Sequence, residues 1–165
     1  MRNFYTLLLG GLLFCLVNSL NGQNISVGLT NVDGEVGETV CVDIVGANFV
    51  GITGMQFSIT FDTLNVRYVS GSASINGTNV SIAFRADRPN QLRLSYSPFS
   101  STGYTDPGPF VIGQLCFLVV QDAETEITIG DSPIPLEFTN EDQEIFELAD
   151  VDVTNGTINN GSGGM

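Results

Sequence analysis

Alternation with a period of two runs through most of this chain. Met55, Phe57, Ile59 and Phe61 are apolar, while Gln56, Ser58, Thr60 and Asp62 are polar. Successive strand side chains point to opposite faces, so this run predicts a strand with one dry and one wet face. The same phase recurs at 39–45, where Val40, Val42 and Ile44 point inward. It recurs at 80–85, with Val80, Ile82 and Phe84 against Ser81, Ala83 and Arg85. Leu92, Leu94 and Tyr96 alternate with Arg93, Ser95 and Ser97, and Leu115, Phe117 and Val119 alternate with Cys116 and Leu118. Shorter strands are predicted at 25–29, 66–70, 126–129, 144–148 and 151–158. Turn formers separate the runs: Asp33-Gly34, Gly51, Gly54, Asn76-Gly77, Pro89-Asn90, Asp106-Pro107-Gly108 and Asn155-Gly156. No segment sustains a 3.6-residue period. Many short strands between turns predict an all-β sandwich or barrel, with residues 98–109 as an exposed loop.

The first residues follow a different pattern. Arg2 precedes the apolar run LLLGGLLFCLV at 7–17, and small polar residues follow it. A charged start, an apolar run of about 7–15 residues and a small-residue exit describe a secretory signal peptide. The run is shorter than the roughly 20 apolar residues of a membrane span. Cleavage is expected near Gly22, with Ser19 as the alternative; a lipoprotein signal at Cys15 is a rival disfavoured by the bulky Phe14. The expected organisation is a signal peptide at 1–22, one domain at 23–158 and a flexible tail at 159–165 (NNGSGGM). A domain of about 140 residues is long enough to bury its own core.

Charge narrows the function classes. The chain has 18 acidic and five basic residues, and Arg2 leaves with the signal, so the mature net charge is 4 − 18 = −14. There is no Lys and no His. Phosphate binding needs clustered Lys or Arg, so nucleic acid and anionic membrane are excluded as partners. Without His or Lys no base activates a Ser or Cys nucleophile, and His-based zinc sites cannot form. A pair of carboxylates could serve a glycosidase. The candidates are Glu141, Asp142, Glu144, Glu147, Asp150 and Asp152, which read more simply as a solvated acidic edge. No enzyme is expected and no cofactor is required. Calcium takes six to eight oxygen ligands; Asn31, Asp33 and Glu35, or the 141–144 loop, are the places that could offer some.

Two cysteines, Cys41 and Cys116, remain in the mature chain. With Val40, Val42, Leu115 and Phe117 inward, both cysteines face outward. A disulfide requires adjacent strands with matched Cβ vectors; two independent half-buried thiols are the alternative. Three of the four mature arginines fall in FRADRPNQLRL at 84–94. Arg85 and Arg93 are expected at outward strand positions, either balancing acids such as Asp87 or forming a recognition patch suited to carboxylates and carbonyls. Tyr104 and Phe110 are the only loop aromatics that could support a carbohydrate platform. Asn24, Asn76, Asn79, Asn155 and Asn160 head glycosylation sequons, relevant only in a eukaryotic host.

Gly37, Val40, Val42 and Ile44, then Gly54, Gln56, Phe57, Ile59, Phe61 and Asp62, together resemble the opening strands of a cohesin domain. Residues 113–120 (GQLCFLVV) are similar to that family's later "G-x-L-x-x-L-x-F" strand, with the last aromatic early, and NGTI at 155–158 resembles its closing strand. The resemblance implies a nine-strand jelly-roll β-sandwich, secretion to an extracellular or cell-surface location, and docking of a dockerin-like module, in assemblies such as those that degrade polysaccharide. It places the Cys41 and Cys116 strands side by side. It implies a binding face on the other sheet made of Gln56, Ser58, Thr60, Ser81, Ala83, Arg85, Arg93 and Ser95. A carbohydrate-binding module or a structural spacer is the alternative within the same superfamily.

Overall fold

The computed structural model describes residues 24–98 and 102–160. The expected signal peptide and residues 161–165 lie outside them. Two sheets pack face to face. The first orders β14 (Val151–Thr154), β1 (Ile25–Leu29), β3 (Thr39–Ala47), β10 (Phe110–Val119), β5 (Val66–Ile75) and β6 (Thr78–Asn79). The second is built on the long strand β4 (Phe49–Phe61). On one edge β4 pairs β11 (Thr125–Gly130) and β12 (Glu137–Asn140). β11 carries β15 (Gly156–Asn160), and β15 carries β2 (Val32–Gly34); β12 carries β13 (Ile145–Glu147). On the other edge β4 pairs β8 (Gln91–Tyr96) and β9 (Tyr104–Asp106), and β8 carries β7 (Ser81–Phe84). This is the jelly-roll sandwich the resemblance implies.

The alternation explains the core. Val40, Val42, Ile44, Leu115, Phe117 and Val119 from the first sheet meet Met55, Phe57, Ile59, Leu92, Leu94 and Tyr96 from the second, all buried. Burying each such side chain stabilises the fold by about 1.5–3 kcal/mol. Cys41 stands opposite Cys116 in the β3–β10 register, and the two are joined in a disulfide on the outer side of the first sheet.

Several boundaries differ from the pattern reading. Gly51 and Gly54 do not break a strand; they lie inside β4. Gly51 adopts φ 61°, in the left-handed region that favours glycine, and the register with β9 shifts there. Asp33-Gly34 lies in β2 rather than a turn. The 98–109 segment is not wholly loop, because Tyr104–Asp106 adds to the edge of β4. The single strand expected at 151–158 is two. β14 pairs in parallel with β1 in the first sheet, and after Asn155 the chain crosses to pair with β11 and β2 in the second. Asn159 and Asn160, expected in the tail, belong to β15. Val151 and Val153 put odd positions inward whereas Ile158 puts an even one inward, so the alternation shifts phase at Asn155-Gly156, where the chain changes sheet.

Candidate docking face

The outer face of the second sheet is polar because β4, β7 and β8 send mostly small or polar residues outward. The strand registers align these residues in three rows. Ser81 on β7 stands level with Ser95 on β8, Gln56 on β4, Glu137 on β12 and Glu147 on β13. The second row runs Ala83, Arg93, Ser58 and Gly130. The third runs Gln91, Thr60 and Thr128. Ser81, Ala83 and Ser95 are exposed, and Gln56, Thr60 and Arg93 are half-buried. Gln56 Nε2 donates to Glu137 Oε2 at 2.8 Å, which fixes the amide along its row.

The expected site residues divide into three groups. Gln56, Thr60, Ser81, Ala83, Arg93 and Ser95 share the open face. Ser58 is on the same side of β4 but has no exposed surface. The connection from β11 to β12, residues 131–136, passes over it. Ser58 Oγ donates to the Ile134 carbonyl and accepts from the Ile134 N–H, both at 2.9 Å. Ser58 therefore anchors a strap and is not a contact residue of the bare face. Ile134 between Pro133 and Pro135 is the sequence signal that could have marked this crossing.

Arg85 falls in the third group. β7 ends at Phe84, so Arg85 opens the β7–β8 turn instead of occupying an outward strand position. Its guanidinium grips Asp87 through Nε–Oδ1 at 2.9 Å and Nη2–Oδ2 at 2.7 Å. The hydrogen bonds from Arg85 hold the Asp87 carboxyl below the usual carboxylate range. Both side chains are more than half exposed, where such pairs contribute little. Arg93 is different: among the described residues it makes no ion pair. It stands in the middle row, between Ala83 and Ser58.

The aromatic platform is also corrected. Tyr104 and Phe110 pack edge-on against Phe49, with ring centroids 6.5 Å and 5.0 Å away, and against each other at 5.3 Å. They close the end of the sandwich and present no flat pair of rings to solvent. Burial, and then the hydrogen bond to Asp106, push the Tyr104 hydroxyl up.

The oxygen-rich segments serve internal bonding. Asn31 Oδ1 accepts from Thr157 N–H, and Asp33 Oδ1 accepts from Asn159 Nδ2, so both tie down β15. Asn140 Oδ1 accepts the N–H groups of Asp142 and Glu144, and its Nδ2 donates to Glu144 Oε2. Among the described residues no three His, Cys, Asp or Glu side chains converge as a metal site. No helix among them is long and apolar enough to cross a membrane.

Comparison with known proteins agrees with this architecture. The profile described as "Cohesin domain" matches residues 25–160. Among curated proteins no sequence matches the chain. Among solved structures, the sixth cohesin of scaffoldin B from Acetivibrio cellulolyticus, in complex with a Cel5 dockerin, superposes with a TM-score of 0.69 at 22% identity, covering 82% of this chain and 98% of that one. A type I cohesin–dockerin complex of OlpC from Clostridium thermocellum gives 0.67 at 14%, covering 83% and 94%. A non-cellulosomal cohesin from the archaeon Archaeoglobus fulgidus gives 0.66 at 14%, covering 84% and 92%. At these identities the superpositions speak for the fold alone, while the profile spans the whole described sandwich. Cohesin domains are non-catalytic protein-interaction modules, which accords with a chain lacking His and Lys. The chain belongs to the cohesin domain family.

Proposed function

We propose that this domain is a secreted docking module that binds a dockerin-type partner through the outer face of its second sheet, within an extracellular or cell-surface assembly. The observation that carries the reading is Arg93. It is the only cation in the three rows, it has no acid partner among the described residues, and the exposed small residues Ala83 and Ser95 beside it let another surface approach. An arginine fork placed in this way recognises carboxylates or backbone carbonyls bidentately. Several related solved cohesins were captured with dockerins. Assembly for polysaccharide breakdown is the setting we infer from those relatives.

The test is capture by residues 23–160 immobilised on a support, offered the secreted proteins of the source organism with calcium and with chelator. Capture of one dockerin-bearing protein, lost in Arg93→Glu and retained in Arg85→Gln, supports the reading. Capture that survives Arg93→Glu overturns the face assignment. Absence of any protein capture overturns the docking reading itself.

A further inference from the structure

The charge of this domain is distributed unevenly along the chain and across the fold. Residues 63–120 hold all four mature arginines and only two acids, Asp87 and Asp106; the other 16 acids lie outside that stretch, with no basic residue among them after Arg2. The fold converts this into two edges. In the second sheet, β7 and β13 are the outermost strands on opposite sides of β4, linked by the row Ser81–Ser95–Gln56–Glu137–Glu147.

The β7 edge is basic and aromatic. Phe84 is 42% exposed and packs against Tyr68 at 5.3 Å. Tyr68, Phe84, Pro89, Thr63 and Arg67 line a cavity of about 350 Å³. Burial raises the Tyr68 hydroxyl, consistent with an apolar lining. Arg67 and Arg88 make no ion pair among the described residues.

The β13 edge is acidic and aliphatic. Ile145 is 60% and Leu148 39% exposed, and Glu144, Glu147 and Asp150 flank them along the strand and the 3₁₀ turn Leu148–Asp150. β7 and β13 both run in the direction of β4. Starting from the shared row, Leu148 to Asp150 on one edge therefore follow Glu147 as Ile82 to Phe84 follow Ser81 on the other.

We propose that the β7 edge of one copy of this domain receives the β13 edge of a second copy, with Leu148 against the Phe84–Tyr68 pair and Glu147 or Asp150 facing Arg67 and Arg88. Like edges repel, basic against basic and acidic against acidic, and unlike edges attract, so the charges select a head-to-tail pairing over a symmetric dimer. Such a contact is not a two-fold pairing: each copy keeps a free edge of each kind, so it can add further copies. Sheet twist turns each copy relative to the last. The net charge of each copy opposes association at long range. At physiological ionic strength the screening length of about 8 Å removes most of that repulsion between domain centres and leaves contact pairs intact. One contact of this size is weak in free solution. It gains where copies are held together on one chain or surface, because tethering raises their effective concentration. The contact takes up at most Glu147 at the end of the first row and leaves Arg93 and the middle of the rows open, so its test needs no docking partner.

The experiment is sedimentation equilibrium on residues 23–160 from micromolar to millimolar concentration in 0.15 M salt. The weight-average mass should rise with concentration. It should stay monomeric in Arg67→Glu/Arg88→Glu and in Glu147→Arg/Asp150→Arg, both changes at exposed positions. Combining the four substitutions in one chain should restore association, which fold damage could not do. A wild-type mass that stays monomeric throughout overturns the proposal. So does concentration dependence that survives reversal of either edge, or failure of the combined variant to recover.

Discussion

The two sheets of this sandwich hold similar inner faces and contrasting outer ones. On the first sheet the central strands β3 and β10 are joined outside the core by Cys41–Cys116. On the second, the equivalent centre is crossed by residues 131–136, held at Ser58 by two hydrogen bonds. One outer face is covalently fixed at its middle. The other carries a hydrogen-bonded cover beside exposed small residues. On the proposed docking reading the difference separates scaffold from docking surface: a cross-link adds stability where no partner needs access, and a hydrogen-bonded strap leaves a surface that a partner can still shape.

Changes on the inner faces should ignore this contrast. Phe57→Ala on β4 and Phe117→Ala on β10 remove fully buried rings and should each cost about 3–5 kcal/mol in chemical denaturation. A much smaller loss in one sheet would show that its core relaxes and the two are not equivalent. Breaking the disulfide with Cys41→Ala/Cys116→Ala comes next. It frees a closed loop with a sequence separation of 75 and should cost about 2–4 kcal/mol. Partner capture by the folded variant should be unchanged; weakened capture would mean that the first sheet contributes to docking.

Ser58→Ala sharpens the comparison from the other side. It deprives the Ile134 N–H and carbonyl of their side-chain partner, at about 1–3 kcal/mol. The test is whether capture changes more than melting does, since the strap borders the docking rows. Asp87→Asn should matter least. The Arg85–Asp87 pair is exposed, so the melting temperature should hold, with or without added salt. Asp87 has a depressed pKa, so any stabilisation it gives is present above the unfolded carboxylate range. It would be lost as pH falls through the folded value. A measurable drop in Asp87→Asn at neutral pH would mean the β7–β8 turn depends on that pair.

The inner faces were legible in the sequence because burial imposes a strict period of two. Val40, Met55, Leu92 and Leu115 each fell on the side their neighbours predicted. The outward phase of both cysteines was legible for the same reason. What escaped was everything decided by tertiary register. Nothing local in Tyr104–Asp106 says that it pairs with β4, and the turn formers Asn155-Gly156 mark a break without saying that the chain leaves one sheet for the other. Phe84 follows the inward alternation of Val80 and Ile82, yet it lies on the edge strand, where Tyr68 of β5 covers it only in part and it stays 42% exposed. At the site, the small residues of the face could be read from alternation. The pairing of Arg85 with Asp87 was one of the two readings open in the sequence, whereas the covering of Ser58 depended on a connection whose path the pattern does not encode.

The parallel pairings β1–β14 and β2–β15 carry a mechanical consequence. Ile25 to Gly28 lie beside Val151 to Thr154, and Val32 to Gly34 beside Ile158 to Asn160, so each sheet binds an early strand to a late one running the same way. Tension applied through the two ends of the domain slides these strands past each other. Their hydrogen bonds are then loaded together in shear and do not open one at a time like a zip. The force-bearing path runs through these two seams, so a pull on the domain tests them before it reaches the docking rows.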